Sequence, residues 1–207
     1  MISWGSNRGH FTGWVVRRWG LILGMMLMIT AWAGAQESPA EVIRSRNTAI
    51  NSALKAAGDP IPPATTERLK DLINGFIDFD ELAKRALGRH WDDRTEVERK
   101  EFTAVFRDLV RNSSVKKLEA YQADRIEYQP ATITGSTAKV TTMAYKGTKS
   151  VTIIYDMHKV GNQWLAWDVT IDGASTVRNY RDSFGREISR GSYKAMYEKL
   201  LRRVNEP

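Results

Sequence analysis

The chain of 207 residues contains no cysteine, three histidines and no block of like charges. Without cysteine there is no disulfide and no thiolate ligand, so the fold must be held by burial. His10 stands near the start, which leaves His90 and His158, far apart in sequence and unable by themselves to make a metal-ligand cluster. Gly-x-Ser-x-Gly, Walker and dinucleotide-type glycine patterns are also missing, and with them the sequence signatures of those hydrolases and nucleotide binders.

Long apolar runs are scarce as well, with one exception. Arg8, Arg17 and Arg18 precede an uncharged stretch from Leu21 to Ala33, which ends in Ala33–Gly34–Ala35. That stretch is shorter than the ~20 residues a spanning helix needs. Its small-residue end is the pattern a signal peptidase cuts after. Residues 1–35 are therefore expected to be a cleaved signal peptide, and residues 36–207 the working domain. Val16 before Arg17–Arg18, with no cofactor motif downstream, favours general secretion over twin-arginine export. From Gln36 onward 28 basic residues face 24 acidic ones, a net +4 spread along the chain. Nucleic acid is a poor partner for such a surface, whereas anionic lipid head groups or an acidic protein would suit it.

What is present begins with helix signals. Ser38 and Glu41 make a capping box with Pro39 at the first helical position, and the helix should run to about Ala57. Consecutive prolines between Gly58 and Pro63 break it. A short helix from Thr66 to Asn74 and one from Asp78 to Leu87 follow, stopped by Gly75 and Gly88. Thr95 and Glu98 cap the longest helix, to about Tyr121, whose apolar stripe is Val97, Phe102, Val105, Phe106, Leu109, Val110 and Leu118.

Then the period changes to two. Ile126 and Tyr128, Val140 to Ala144, Val151 to Met157, and Leu165, Trp167, Val169 and Ile171 alternate as strands. Gly135–Ser136, Lys146–Gly147 and Gly161–Asn162 supply turns. Asp172–Gly173 ends the last strand, and Ser175 opens a helix with Val177, Tyr180, Phe184 and Ile188 on one side. A final helix covers Tyr193 to Val204. Helices, an antiparallel meander and helices again make an α+β fold, with a curved four-stranded antiparallel sheet wrapped by helices.

Reactive chemistry is thin. His90 follows a helix end, where a histidine ordinarily caps or faces solvent, and His158 should be exposed. Asp156 and Asp168 lie on adjacent strands. As a pocketed pair they could do acid–base work; as ordinary carboxylates they would accept hydrogen bonds from a helix end or an arginine. The aromatics are more prominent. Phe102, Phe106, Tyr155, Trp167, Tyr180 and Phe184 all fall on inward faces, the usual pattern of a packed core.

Three segments carry a family likeness. They are Phe79 through Leu82, Gly88 and His90 to Trp91; the helix with Thr95, Glu98, Phe102 and Phe106; and Trp164, Trp167, Asp168, Val169, Ile171 to Ser175, Asn179 to Arg181 and Phe184. Together they resemble the MlaC family, the toluene-tolerance proteins, over nearly the whole chain from Ser38 to Leu201. Asn112–Ser113–Ser114 departs from many relatives in being polar. The resemblance implies a scaffold like that of nuclear transport factor 2 with an apolar cavity between sheet and helices. It implies a soluble periplasmic phospholipid carrier, an auxiliary component of an ABC transport system that maintains membrane lipid asymmetry. Its partners would be an inner-membrane transporter bearing an MCE protein and an outer-membrane lipoprotein–porin complex.

On that footing the chain is expected to be a monomer with no catalytic residue, no metal and no cofactor, carrying glycerophospholipid as cargo. The expected lipid-binding residues are Phe102, Phe106, Leu109, Val110, Val151, Ile153, Tyr155, Trp167, Val169, Ile171, Tyr180 and Phe184. Arg178, Arg181 and Arg186 are candidates for anionic head groups. The alternative is an enzyme on the same scaffold using Asp156 and Asp168.

Overall fold

The computed structural model describes residues 37–58, 60–115 and 123–205. The expected signal peptide, its cleavage before Gln36, and the run of the long helix from Leu118 to Tyr121 lie outside these residues. Helix α1 (Pro39–Ala57) starts where Ser38 Oγ accepts the Glu41 N–H at 3.2 Å. Helix α2 (Pro63–Asn74) begins at Pro63 and not at Thr66, because a proline in the first turn forfeits no helical hydrogen bond. Asp78 caps α3 (Phe79–Leu87), accepting the Glu81 N–H at 3.0 Å, and a 3-10 turn follows over Gly88–His90. In α4 (Glu96–Val115) the capping box closes both ways: Thr95 N–H donates to Glu98 at 2.8 Å, and Glu98 N–H to Thr95 Oγ1 at 3.2 Å. Val97, expected on the inner stripe, is exposed in the first turn.

The sheet has six strands where four were expected. They are β1 (Arg125–Tyr128), β2 (Thr132–Thr134), β3 (Thr137–Lys146), β4 (Lys149–Val160), β5 (Gln163–Ile171) and β6 (Ala174–Ser175), all antiparallel, in the order β1-β3-β4-β5-β6 with β2 also paired to β3. The two additional strands are too short to show a period. Strand β6 exists because Asp172 and Gly173 both take positive φ, 46° and 81°, which folds the chain straight back onto β5. Helices α5 (Thr176–Arg190) and α6 (Tyr193–Asn205) complete the chain.

Strand β5 carries a bulge. Asp156 is opposite Asp168 and Met157 is opposite Ala166, so Trp167 is one residue too many for the ladder. The alternation Leu165–Trp167–Val169–Ile171 is therefore broken. Trp164 and Ala166 pack with Tyr155 and Met157, and past the bulge Val169 joins that same group. Trp167 instead packs against the helices, with the Arg85 guanidinium of α3 3.9 Å from its ring centre.

A domain of this size usually has one continuous core, but here burial falls into three clusters. The largest joins α3, α4, α5 and α6 around Phe102, Phe106 and Phe184. The second lies between α1 and the sheet, around Ile43, Phe76, Val140, Tyr155, Met157 and Ala166. The third ties α1 to α2 through Ile50, Ala53, Leu69 and Ile73.

Candidate ligand pocket

Where the three clusters would meet there is a pocket of about 300 Å³. Helices α1 and α2 contribute Asn47, Ile50, Ile73 and Asn74, and the linker to α3 contributes Phe76 and Ile77. Leu82 of α3 and Val110, Ser113 and Ser114 of α4 close another side. The sheet presents Ile153, Tyr155, Val169 and Ile171, and the start of α5 adds Thr176, Asn179 and Tyr180. Side chains from all three clusters line one void, so the gap is what keeps the core from fusing.

Local structure explains each wall. The linker after α2 runs beside β5 as a short parallel bridge, Ile77 with Ala166. Ala166 N–H donates to the Phe76 carbonyl and Asp78 N–H to the Ala166 carbonyl, both at 2.8 Å. That pairing satisfies backbone groups of β5 and fixes Phe76 and Ile77 in place. On the far side, Asp168 is 5% exposed and accepts the Ser175 hydroxyl at 2.6 Å and the Val177 N–H at 3.0 Å. It binds the first turn of α5, and Thr176 ties itself to the Val169 carbonyl at 2.8 Å. Tyr180 is thereby aimed at the void, with its ring 4.8 Å from that of Phe106.

Six of the expected lipid-binding residues line this pocket: Val110, Ile153, Tyr155, Val169, Ile171 and Tyr180. Six do not. Phe102, Phe106, Leu109 and Phe184 form the packed helix cluster, where Phe102 and Phe106 stack at 5.5 Å and Phe184 meets both edge-on at 5.5 Å. Trp167 is turned away by the bulge, and Val151 lies further along β4 opposite Ala144. The residues that sequence reasoning passed over come mainly from α1, α2 and their linker. A polar signal existed for some of them, since Asn47 and Asn74 interrupt otherwise apolar helix faces beside Ile50 and Ile73.

The other candidates are engaged elsewhere. Asp168 holds α5, and Asp156 pairs with Lys139 on β3. His158, expected to be exposed, is half-buried, and its Nε2 lies 2.8 Å from the Asp78 carboxylate that caps α3. Arg181 donates to the Arg85 carbonyl at 3.0 Å and lines, with Arg186, Arg89 and His90, a separate groove that shares no residue with the pocket. Arg178 is exposed and does not line the pocket. Ser113 and Ser114, in the polar stretch Asn112–Ser114, give the pocket one hydroxyl-bearing side. Among the described residues no group of His, Asp and Glu is placed to hold a metal ion, and no helix is long and apolar enough to cross a membrane.

No curated protein sequence matches the chain. A solved structure does: the phospholipid-binding protein from Ralstonia solanacearum, in complex with a phospholipid, is similar with a TM-score of 0.68 at 19% identity, over 83% of this chain and 97% of that one. At that identity the likeness is one of fold. The family model for the MlaC protein matches residues 45–202, three quarters of the sequence, and the chain thus belongs to the MlaC family.

Proposed function

We propose that this protein is a soluble periplasmic phospholipid carrier whose cargo occupies the pocket between the three core clusters. The observation that carries this reading is the unfilled gap itself, walled by apolar strand and helix residues with hydroxyl and amide groups along one side. Each methylene moved out of water is worth roughly 0.8 kcal/mol, so acyl chains cross an aqueous space only inside an apolar enclosure. Membership of the MlaC family and the lipid-bound Ralstonia fold relative support the same cargo.

In this reading the frame is the cavity-bearing kind typified by nuclear transport factor 2. The chain is exported by a cleaved signal over residues 1–35 and works as a monomer. It exchanges lipid with an inner-membrane ABC transporter bearing an MCE protein and with an outer-membrane lipoprotein–porin complex, and so maintains lipid asymmetry. Native mass spectrometry of the chain purified from Gln36 onward tests the cargo. A phospholipid adduct is expected, either as purified or after exposure to liposomes, and a protein that stays bare under both conditions is not a carrier. For export, the periplasmic fraction should contain a soluble chain beginning at Gln36; full-length chain held in membranes would refute it.

A further inference from the structure

We infer that the pocket selects single-chain glycerophospholipids, lipids with a free hydroxyl on the glycerol backbone, through the side-chain oxygen of Asn74. This rests on the carrier reading and narrows its cargo. Asn74, at the end of α2, is 2% exposed and lines the pocket. Its Nδ2 donates to the Lys70 carbonyl at 2.7 Å and to Ser114 Oγ at 3.0 Å. The Lys70 carbonyl can only accept, and the Ser114 proton is already given to the Arg111 carbonyl at 2.8 Å. Turning the amide over would set acceptors against acceptors, so its orientation is locked. Oδ1 is the atom left over, buried and without a partner in the protein.

A buried acceptor of this kind costs stability unless a donor meets it, and it discriminates among ligands by whether they bring one. The pocket lining holds no charged residue, so nothing there draws a phosphate inward. The glycerol of a diacyl lipid offers only ester oxygens, all acceptors. A monoacyl lipid offers a hydroxyl at the unesterified carbon. Size agrees: a methylene, about as large as a water molecule, takes roughly 30 Å³. The 300 Å³ pocket therefore takes one acyl segment and leaves no room for a second.

The test compares two single-chain phosphocholine lipids that differ only at that carbon, one with the free hydroxyl and one capped as its methyl ether. The free hydroxyl should bind roughly tenfold tighter, the scale set by one unmet buried acceptor. Equal affinity overturns the inference and leaves Oδ1 to water. Dipalmitoyl phosphatidylglycerol, whose hydroxyls are all in its head group, should bind no better than dipalmitoyl phosphatidylcholine; a clear preference for it would place the donor in the head group and overturn the assignment. Asn74→Leu, if circular dichroism shows it folded, should bind the capped and uncapped lipids alike, and a surviving tenfold gap removes Asn74 from the account. If Asn74→Leu does not fold, the Asn74 side-chain amide resonances of the unaltered protein decide. They should shift with the hydroxyl lipid and not with its ether, and equal shifts refute the contact. Should neither single-chain nor diacyl lipids bind at all, the carrier reading itself fails.

Discussion

Replacing Val169 by tryptophan separates a hollow interior from a packed one. Val169 lines the pocket opposite Val110, next to Tyr155 and Ile171. The indole adds roughly 90 Å³ at protein packing density, against about 300 Å³ of open space. In a filled core such a change costs about 1–3 kcal/mol or more by overpacking. Here the ring enters the void, and the loss in unfolding free energy should stay below about 1 kcal/mol. The same volume is denied to the lipid. At roughly 30 Å³ each, about three methylenes are displaced. Their transfer is worth about 2.4 kcal/mol, close to a fiftyfold loss of affinity. Urea denaturation followed by circular dichroism measures the first quantity, and native mass spectrometry after liposome exposure, in competition with the unaltered chain, measures the second. A loss of several kcal/mol in stability would mean that Val169 sits in solid packing. A folded variant that loads lipid as well as the parent would mean that the acyl chain lies elsewhere.

Three further outcomes follow from the packing around the pocket. Phe184→Ala, in the ring cluster with Phe102, Phe106 and Tyr180, should cost about 3–5 kcal/mol in a denaturation curve; a change under about 1 kcal/mol would show that cluster to be loose. Asp168→Ala removes the acceptor for Ser175 and Val177 and should cost about 1–3 kcal/mol, while lipid loading at low temperature survives; a catalytic role would instead appear as a lost activity in a stable Asp168→Asn protein. Thr95→Ala should lower stability by about 1 kcal/mol through the α4 cap. The Thr95 N–H also holds the Glu98 carboxyl below its ordinary pKa. Any stability from that charge is present above the unfolded carboxylate pKa and fades as pH falls through the lowered one, so the parent should lose more than Thr95→Ala on acidification.

Helix boundaries were readable because capping pairs such as Thr95–Glu98 and Ser38–Glu41 are local chemistry. The long strands were readable because β3 and β4 keep their period. The short strands β2 and β6 were not, since two or three residues carry no period. The pocket was half legible. An apolar stripe states that Phe106 and Val110 both face inward, but not that Phe106 meets other rings while Val110 meets a gap. That distinction depends on α1 and α2, whose contributions are remote in sequence from the strands they face. Trp167 was misplaced for a different reason: strict alternation was assumed through a strand that contains an extra residue.

That extra residue makes β5 unevenly tolerant of deletion. Losing a residue anywhere else in the strand would turn one half over, exchanging inner and outer side chains. At the bulge the ladder can close instead, with Ala166 still opposite Met157, and Asp168 still opposite Asp156. Of the two residues there, Asp168 is bound to α5, while Trp167 lies outside the pairing. A single-codon deletion scan across Gln163–Ile171 should therefore spare position 167 alone: the strand keeps its faces and loses a tryptophan under Arg85.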